Sequence, residues 1–256
     1  MIIADAFKDG KAFMPFITCG DPNLDITEEI IYALDEAGAS LIELGIPFSD
    51  PTAEGPVIQS ASERALQAGT TTDKVFNMVE KVRKKVSIPL AFMTYANVVY
   101  SYGIENFFQH SAGLNVNAVI LPDVPFEEKD EFAIPCKESG IDFISLIAPT
   151  SARRVETIAK QAQGFIYLVS SLGVTGVRDQ IHGDIASLVQ EVRSHTAIPI
   201  AIGFGIGSAR SAQEMSKYAD GVIIGSAIMQ LVADHGIDAP DKVYDFAREI
   251  VEALKD

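Results

Sequence analysis

One carboxyl stands where hydrocarbon is the rule. Glu43 lies in a run with Leu41, Ile42, Leu44 and Ile46 as neighbours. Alternation along a strand puts Glu43 on one face with Leu41 and Gly45. In a strand covered on both faces, an unpaired carboxylate is costly, and burial raises its pKa toward the range where it trades protons near neutrality. A structural glutamate satisfied by nearby hydroxyls or backbone groups is the alternative. The loop 47–56 follows, with three prolines and one glycine, and carries two more acids, Asp50 and Glu54. Folded over the strand end, such a loop would deliver Glu54 opposite Glu43. Two carboxyls in unlike surroundings can divide acid and base roles. Asp50 reads equally as a loop-anchoring or interface contact and as a solvated acid.

A second chemistry is written in glycines. Three late stretches, 170–176, 203–208 and 223–227, are rich in Gly, and the last leads into an apolar helical stretch, 228–232. Glycine lets the backbone approach an anion, and the free N–H groups at a helix start bind phosphate. Ser226 is expected as the N-cap and a hydroxyl donor. The net charge of −15 means that a phosphate site must rest on such local groups. It also argues against nucleic-acid and anionic-membrane partners, which call for Lys and Arg. No apolar run approaches the roughly 20 residues of a membrane span. Cys19 and Cys136 match no metal or redox spacing, nor do His110, His182, His195 and His235, so no metal is expected. The N-terminus lacks a basic segment followed by an apolar one, and a reduced, cytoplasmic protein is expected.

The elements that must position these groups repeat along the chain. Eight short apolar runs, at 12–18, 40–44, 88–94, 118–121, 142–148, 165–170, 198–202 and 221–224, each end in turn-forming residues and lead to an amphipathic segment. Their continuous rather than alternating hydrophobicity fits parallel strands buried on both faces. Between them, Val75, Val79, Val82 and Val86 make a helical stripe over 73–86, with Thr72 as N-cap. Val243, Phe246, Ile250 and Leu254 make another over 240–254, with Pro240 in the first turn. Gly38 and Gly140 sit where a helix would end in a left-handed residue. The series predicts an α/β fold, a (β/α)8 TIM barrel forming a single domain over 1–256. A doubly wound open sheet is the alternative. In a barrel the chemistry sits at the C-terminal strand ends.

These motifs together resemble the tryptophan synthase alpha-subunit family. The specific signature is 42–51 with 53–59; stretches 15–22, 93–97, 121–125, 173–176 and 203–205, with Gly225 and Ser226, extend the likeness over nearly the whole chain. The resemblance implies retro-aldol cleavage of indole-3-glycerol phosphate, with Glu43 shuttling protons and Glu54 facing the indole N–H. It implies phosphate binding by Gly176, Phe204, Gly205, Gly225 and Ser226, and indole walls from Phe16, Ile58, Tyr167 and Phe204. It implies a beta-subunit partner in an alpha2beta2 complex, near the 47–56 loop and 93–97. That partner would hold the pyridoxal phosphate, so no cofactor is expected in this chain. Three positions depart from the family pattern: Glu54 stands where aspartate is usual, Thr52 where leucine is usual, and Ser171 where arginine is common. Two other functions stay open: another phosphate-sugar barrel of the tryptophan or histidine pathways, or a weakly catalytic barrel that chiefly binds and activates a beta partner.

Overall fold

A computed structural model describes residues 3–151, 154–169, 178–203 and 205–255. Its strands are β1 (Ala12–Thr18), β2 (Ile42–Gly45), β3 (Leu90–Met93), β4 (Ala118–Ile120), β5 (Asp142–Phe143), β6 (Ser145–Ile147), β7 (Ile166–Val169), β8 (Ile200–Gly203) and β9 (Gly221–Ile224). All pairings are parallel, in the order β5-β4-β3-β2-β1-β9-β8-β7-β6. The two ends of that order are halves of one expected strand. Ile144 separates them, and its N–H still donates to Val119 O at 3.0 Å. β5 therefore pairs back to β4 and β6 pairs forward to β7, so the sheet closes on itself as a TIM barrel. The eight expected strands appear as nine segments for this reason.

Strand burial follows the expected pattern. β1, β2, β3, β8 and β9 are buried at every position, as strands between a filled lumen and a helical jacket must be. Their bounds differ modestly from the sequence reading. β2 begins at Ile42 rather than residue 40, and the Ser40 hydroxyl just before it accepts the Phe13 N–H. Glu43 is the second of the four residues of β2.

The jacket helices end where their caps dictate. The helix Leu24–Ala37 starts at Asn23, whose side chain accepts from Ile26 N, and stops at Gly38 with φ of 96°. Gly140 is likewise left-handed, with φ of 75°. The helix over the valine stripe runs Thr72–Val82, and its N-cap is Thr71, not Thr72: the Thr71 hydroxyl accepts from Lys74 N. It stops four residues short of Val86, and its C-cap is Arg83, whose guanidinium donates to the carbonyls of Leu114, Ile88 and Asn115. Val86 is still buried in the core. Pro240 sits in the first turn of the helix Ala239–Ala253, as expected. Among the described residues, no helix is long and apolar enough to cross a membrane.

Candidate active site

Register decides which side chains meet inside the barrel. Phe16, Glu43 and Ala91 are direct partners on β1, β2 and β3, and directly opposed residues share a face. Phe16 borders a cavity of about 450 Å³ at the C-terminal mouth, so its rung, Glu43 included, faces the lumen. The ring of Phe16 leans over Gly45: a Cβ built there would lie 2.5 Å from a Phe16 ring carbon. Tyr167 lies in the same way over Gly203, where a Cβ would come within 2.5 Å of its hydroxyl oxygen. Glycine on the neighbouring strand is what lets each aromatic wall lie flat across the lumen. Replacing Gly45 with Ala is expected to destabilise the fold by about 1–3 kcal/mol through overpacking, read as a lowered midpoint in urea unfolding.

Glu43 is fully buried, and neither carboxylate oxygen has a hydrogen-bond partner among the described residues. Burial pushes its pKa up to about 8. At neutral pH it is therefore chiefly a carboxylic acid, which a dry site tolerates far better than an anion. It does not itself border the cavity, whereas Phe16 on its own rung and Tyr167 do. Tyr167 is close enough that burial first, and then the charge of Glu43, raise its phenol pKa.

Glu54 reaches the same cavity from the loop after β2 and is half-buried. Burial raises its pKa to about 7, opposed by a hydrogen bond from Tyr95. Its Oε2 is buried without a partner among the described residues. Ile58, on the helix Pro56–Gln67, supplies a further apolar wall. That helix is fixed to the loop after β1 by Arg64, whose Nε and Nη2 donate to the two carboxylate oxygens of the buried Asp21, each at 2.8 Å. Asp50 is exposed, accepts from its neighbour Ser49 and does not border the cavity.

The opposite rim holds the late glycines. Gly205, Gly225 and Ser226 all border the cavity. The helix Ser226–His235 starts there, with Gly225 as N-cap and Ser226 as its first residue, which corrects the expectation that Ser226 is the cap. The first helical bond runs from Met229 N to Gly225 O, so the preceding N–H groups are left free of intrahelical partners. Gly176 and Phe204 lie outside the described residues, as does Ser171. The structure thus brings Phe16, Glu54, Ile58, Tyr167, Gly205, Gly225 and Ser226 to one cavity, with Glu43 behind its lining.

Val57, Met93, Ile206 and Ile223 border it too and were not singled out in the sequence. Ile223 could have been found, since it shares the lumen face with Gly225 two residues on. Tyr95 was read only as part of a motif, and its hydroxyl contact with the 47–56 loop carries no sequence signal. A larger groove of about 1,420 Å³ opens at the other end of the barrel, bordered by Phe13, Ser40, Pro89 and Pro199. Those residues precede or begin the strands, and that end carries none of the chemistry described above. Among the described residues, no group of three or more His, Cys, Asp or Glu could hold a metal ion.

A family model described as tryptophan synthase alpha chain matches residues 3–255. The chain is 48% identical to the tryptophan synthase alpha chain of Lacticaseibacillus casei over 252 residues, covering 98% of this chain and 95% of that one. Its backbone is similar to the crystal structure of tryptophan synthase subunit alpha from Legionella pneumophila, with TM-score 0.91 and 32% identity, covering 100% and 99% of the two chains. It is also similar to a chain from the tryptophan synthase a2b2 complex of the hyperthermophile Pyrococcus furiosus, with TM-score 0.87 and 33% identity, covering 95% and 99%.

Proposed function

The chain belongs to the tryptophan synthase alpha chain family, and on that premise we propose that it cleaves indole-3-glycerol phosphate to indole and glyceraldehyde 3-phosphate. Residues 1–256 act as one barrel domain in this reading. Its partner is a beta subunit, which takes up the indole for tryptophan synthesis in an alpha2beta2 assembly of the kind named for Pyrococcus furiosus. The observation that carries the chemistry is the pair of acids, one buried and neutral, the other half-buried at the cavity edge, each with oxygen that no group among the described residues satisfies.

Cleavage needs carbon 3 of the indole to gain a proton and the adjacent glycerol hydroxyl to lose one. Glu43, held protonated by burial, donates to carbon 3, and the ring nitrogen takes up the positive charge. The carboxylate so formed then accepts the hydroxyl proton. The hydroxyl oxygen becomes the aldehyde oxygen, the carbon–carbon bond breaks, and its electron pair returns to the ring. Glu43 ends protonated, ready for another turnover. Glu54, as a carboxylate near the indole N–H, stabilises the charge on the ring while it lasts. Phe16, Ile58, Tyr167 and Phe204 wall the indole. Gly176, Phe204, Gly205, Gly225 and Ser226 hold the phosphate, chiefly through N–H groups, which suits a chain of net charge −15. The chain's own carboxyls suffice for this chemistry, so no cofactor is assigned to it, and a cytoplasmic setting accords with a biosynthetic enzyme.

The decisive measurement is indole release from indole-3-glycerol phosphate, by the chain alone and with a beta subunit added. Activity is expected in both, and higher with the partner because loop closure completes the site. No indole release in either case overturns the reading. The same assay gives a pH test. Glu54 works ionised, so kcat/KM should rise as pH climbs through about 7. Glu43 works protonated, so it should fall as pH climbs through about 8. A narrow bell with its maximum between those values is expected, and a profile flat from pH 6 to 9 would contradict the roles given to the two acids.

A further inference from the structure

Tyr95 lies just beyond the end of β3 and is almost fully buried, yet it does not border the cavity. Its main chain is held firmly. It is the N-terminal flanking residue of the helix Ala96–Tyr102, its carbonyl accepts from Val98 N at 3.0 Å, and Asp123 from the loop after β4 accepts from Ala96 N through both oxygens. Its ring packs on Phe48, with centroids 5.2 Å apart. The hydroxyl of this fixed residue reaches across to the loop after β2, where it accepts the Ala53 N–H at 3.0 Å. A phenol has one hydrogen to give. Its oxygen accepts the Ala53 N–H, which leaves that hydrogen to be given, and the carboxyl of Glu54, the next residue along the tethered loop, is the nearby acceptor.

We infer that Tyr95 is a positioning residue for Glu54, tethering both the loop backbone at Ala53 and the acid's carboxylate so that the acid's other oxygen stays open to the ligand. The inference rests on the proposed lyase reading for its catalytic consequence, but not for the tether itself. It also accounts for how a glutamate works here. Glutamate has one more rotatable bond than aspartate, and its freedom must be removed before it can meet a ring N–H in one geometry. A hydroxyl anchored on the rigid end of β3 removes it. The carboxylate keeps Oε2 at the cavity edge, without a partner among the described residues. Among the described residues bordering the cavity, Glu54 is the only charged one and Tyr167 the only other titratable one. Glu43 lies behind the lining, and Asp123 is engaged with Ala96 N. Tyr95 is therefore the neighbour whose removal should change the titration of Glu54 most directly.

The test is Tyr95→Phe, which keeps the ring and its packing on Phe48. Its kcat for indole release should fall about tenfold or more, the scale of a lost hydrogen bond to a charged group, with KM changed little. The bond from Tyr95 favours the ionised acid, so its loss should move the acidic limb of the kcat/KM profile to higher pH while the basic limb stays. A merely structural role would lower activity without moving one limb alone. Carboxyl carbon-13 NMR of Glu54, in the full chain without substrate, reads the tether independently of turnover. An upward shift of the Glu54 titration in Tyr95→Phe supports it, and an unchanged titration overturns it even in an active enzyme. If the shift appears but the wild-type chain releases no indole with or without a beta subunit, the tether stands and the lyase reading falls.

Discussion

Replacing Glu43 with Gln is expected to abolish indole release, with kcat lowered on the order of 10²- to 10⁴-fold, the usual worth of a positioned proton donor. Binding of indole-3-glycerol phosphate should change little. The two side chains have nearly the same shape, and Glu43 lies behind the cavity lining and not on it, so the walls of Phe16, Ile58 and Tyr167 are undisturbed. What the amide cannot do is give a proton to carbon and take one back from a hydroxyl. The comparison is clean because the carboxyl is already neutral near pH 7, its pKa held at about 8 by burial. Glutamine thus changes proton chemistry without removing a resident charge. Steady-state release of indole measures the first effect and calorimetric titration with the substrate under non-turnover conditions the second. Normal turnover by Glu43→Gln would leave the mechanism without its central group.

The order of elements was legible because burial on both faces writes itself as unbroken hydrophobic runs, and eight of them alternating with amphipathic segments leave few folds. What was not legible was local. The Ser40 hydroxyl accepts the Phe13 N–H, and β2 runs only from Ile42 to Gly45 with Glu43 as its second residue. Three consecutive threonines offer a cap, and the one whose hydroxyl meets Lys74 N is Thr71. The fifth strand changes partners at Ile144, a requirement of closing the barrel that no short window of residues contains. At the site, the sequence marks Glu43 by contrast with its apolar neighbours and marks the late glycines by their number. It does not mark Tyr95. Its hydroxyl meets Ala53, more than 40 positions earlier, only once β2 and β3 are side by side. Contacts between loops depend on which strands are neighbours, and that information is spread over the whole chain.

The same buried acid should make the fold less stable as pH rises. In the unfolded chain Glu43 loses its proton near the ordinary 4.5, whereas in the folded chain it keeps it to about 8. Below 4.5 both states are protonated and burial of the carboxyl carries no ionisation penalty. Between the two values the unfolded state gains by ionising and the folded state does not, so stability declines. Above about 8 both are ionised and the full penalty remains. At ~1.4 kcal/mol per pKa unit, the gap corresponds to a loss of about 4 kcal/mol between pH 5 and pH 9. That is a large fraction of the roughly 5–15 kcal/mol that holds a typical domain together. Glu43→Gln has nothing to ionise, so its stability relative to wild type should improve by about that amount over the same range. Glu54 and every other titrating group are common to both proteins and cancel in the difference. Urea unfolding of the two proteins at pH 5, 7 and 9 gives the result, and parallel pH dependences would show that Glu43 is not held neutral in the folded state. Chemistry and stability therefore make opposite demands on this position. The desolvation that keeps a proton available for carbon 3 is the same desolvation that weakens the fold in alkaline solution, and no substitution there can relieve one without forfeiting the other.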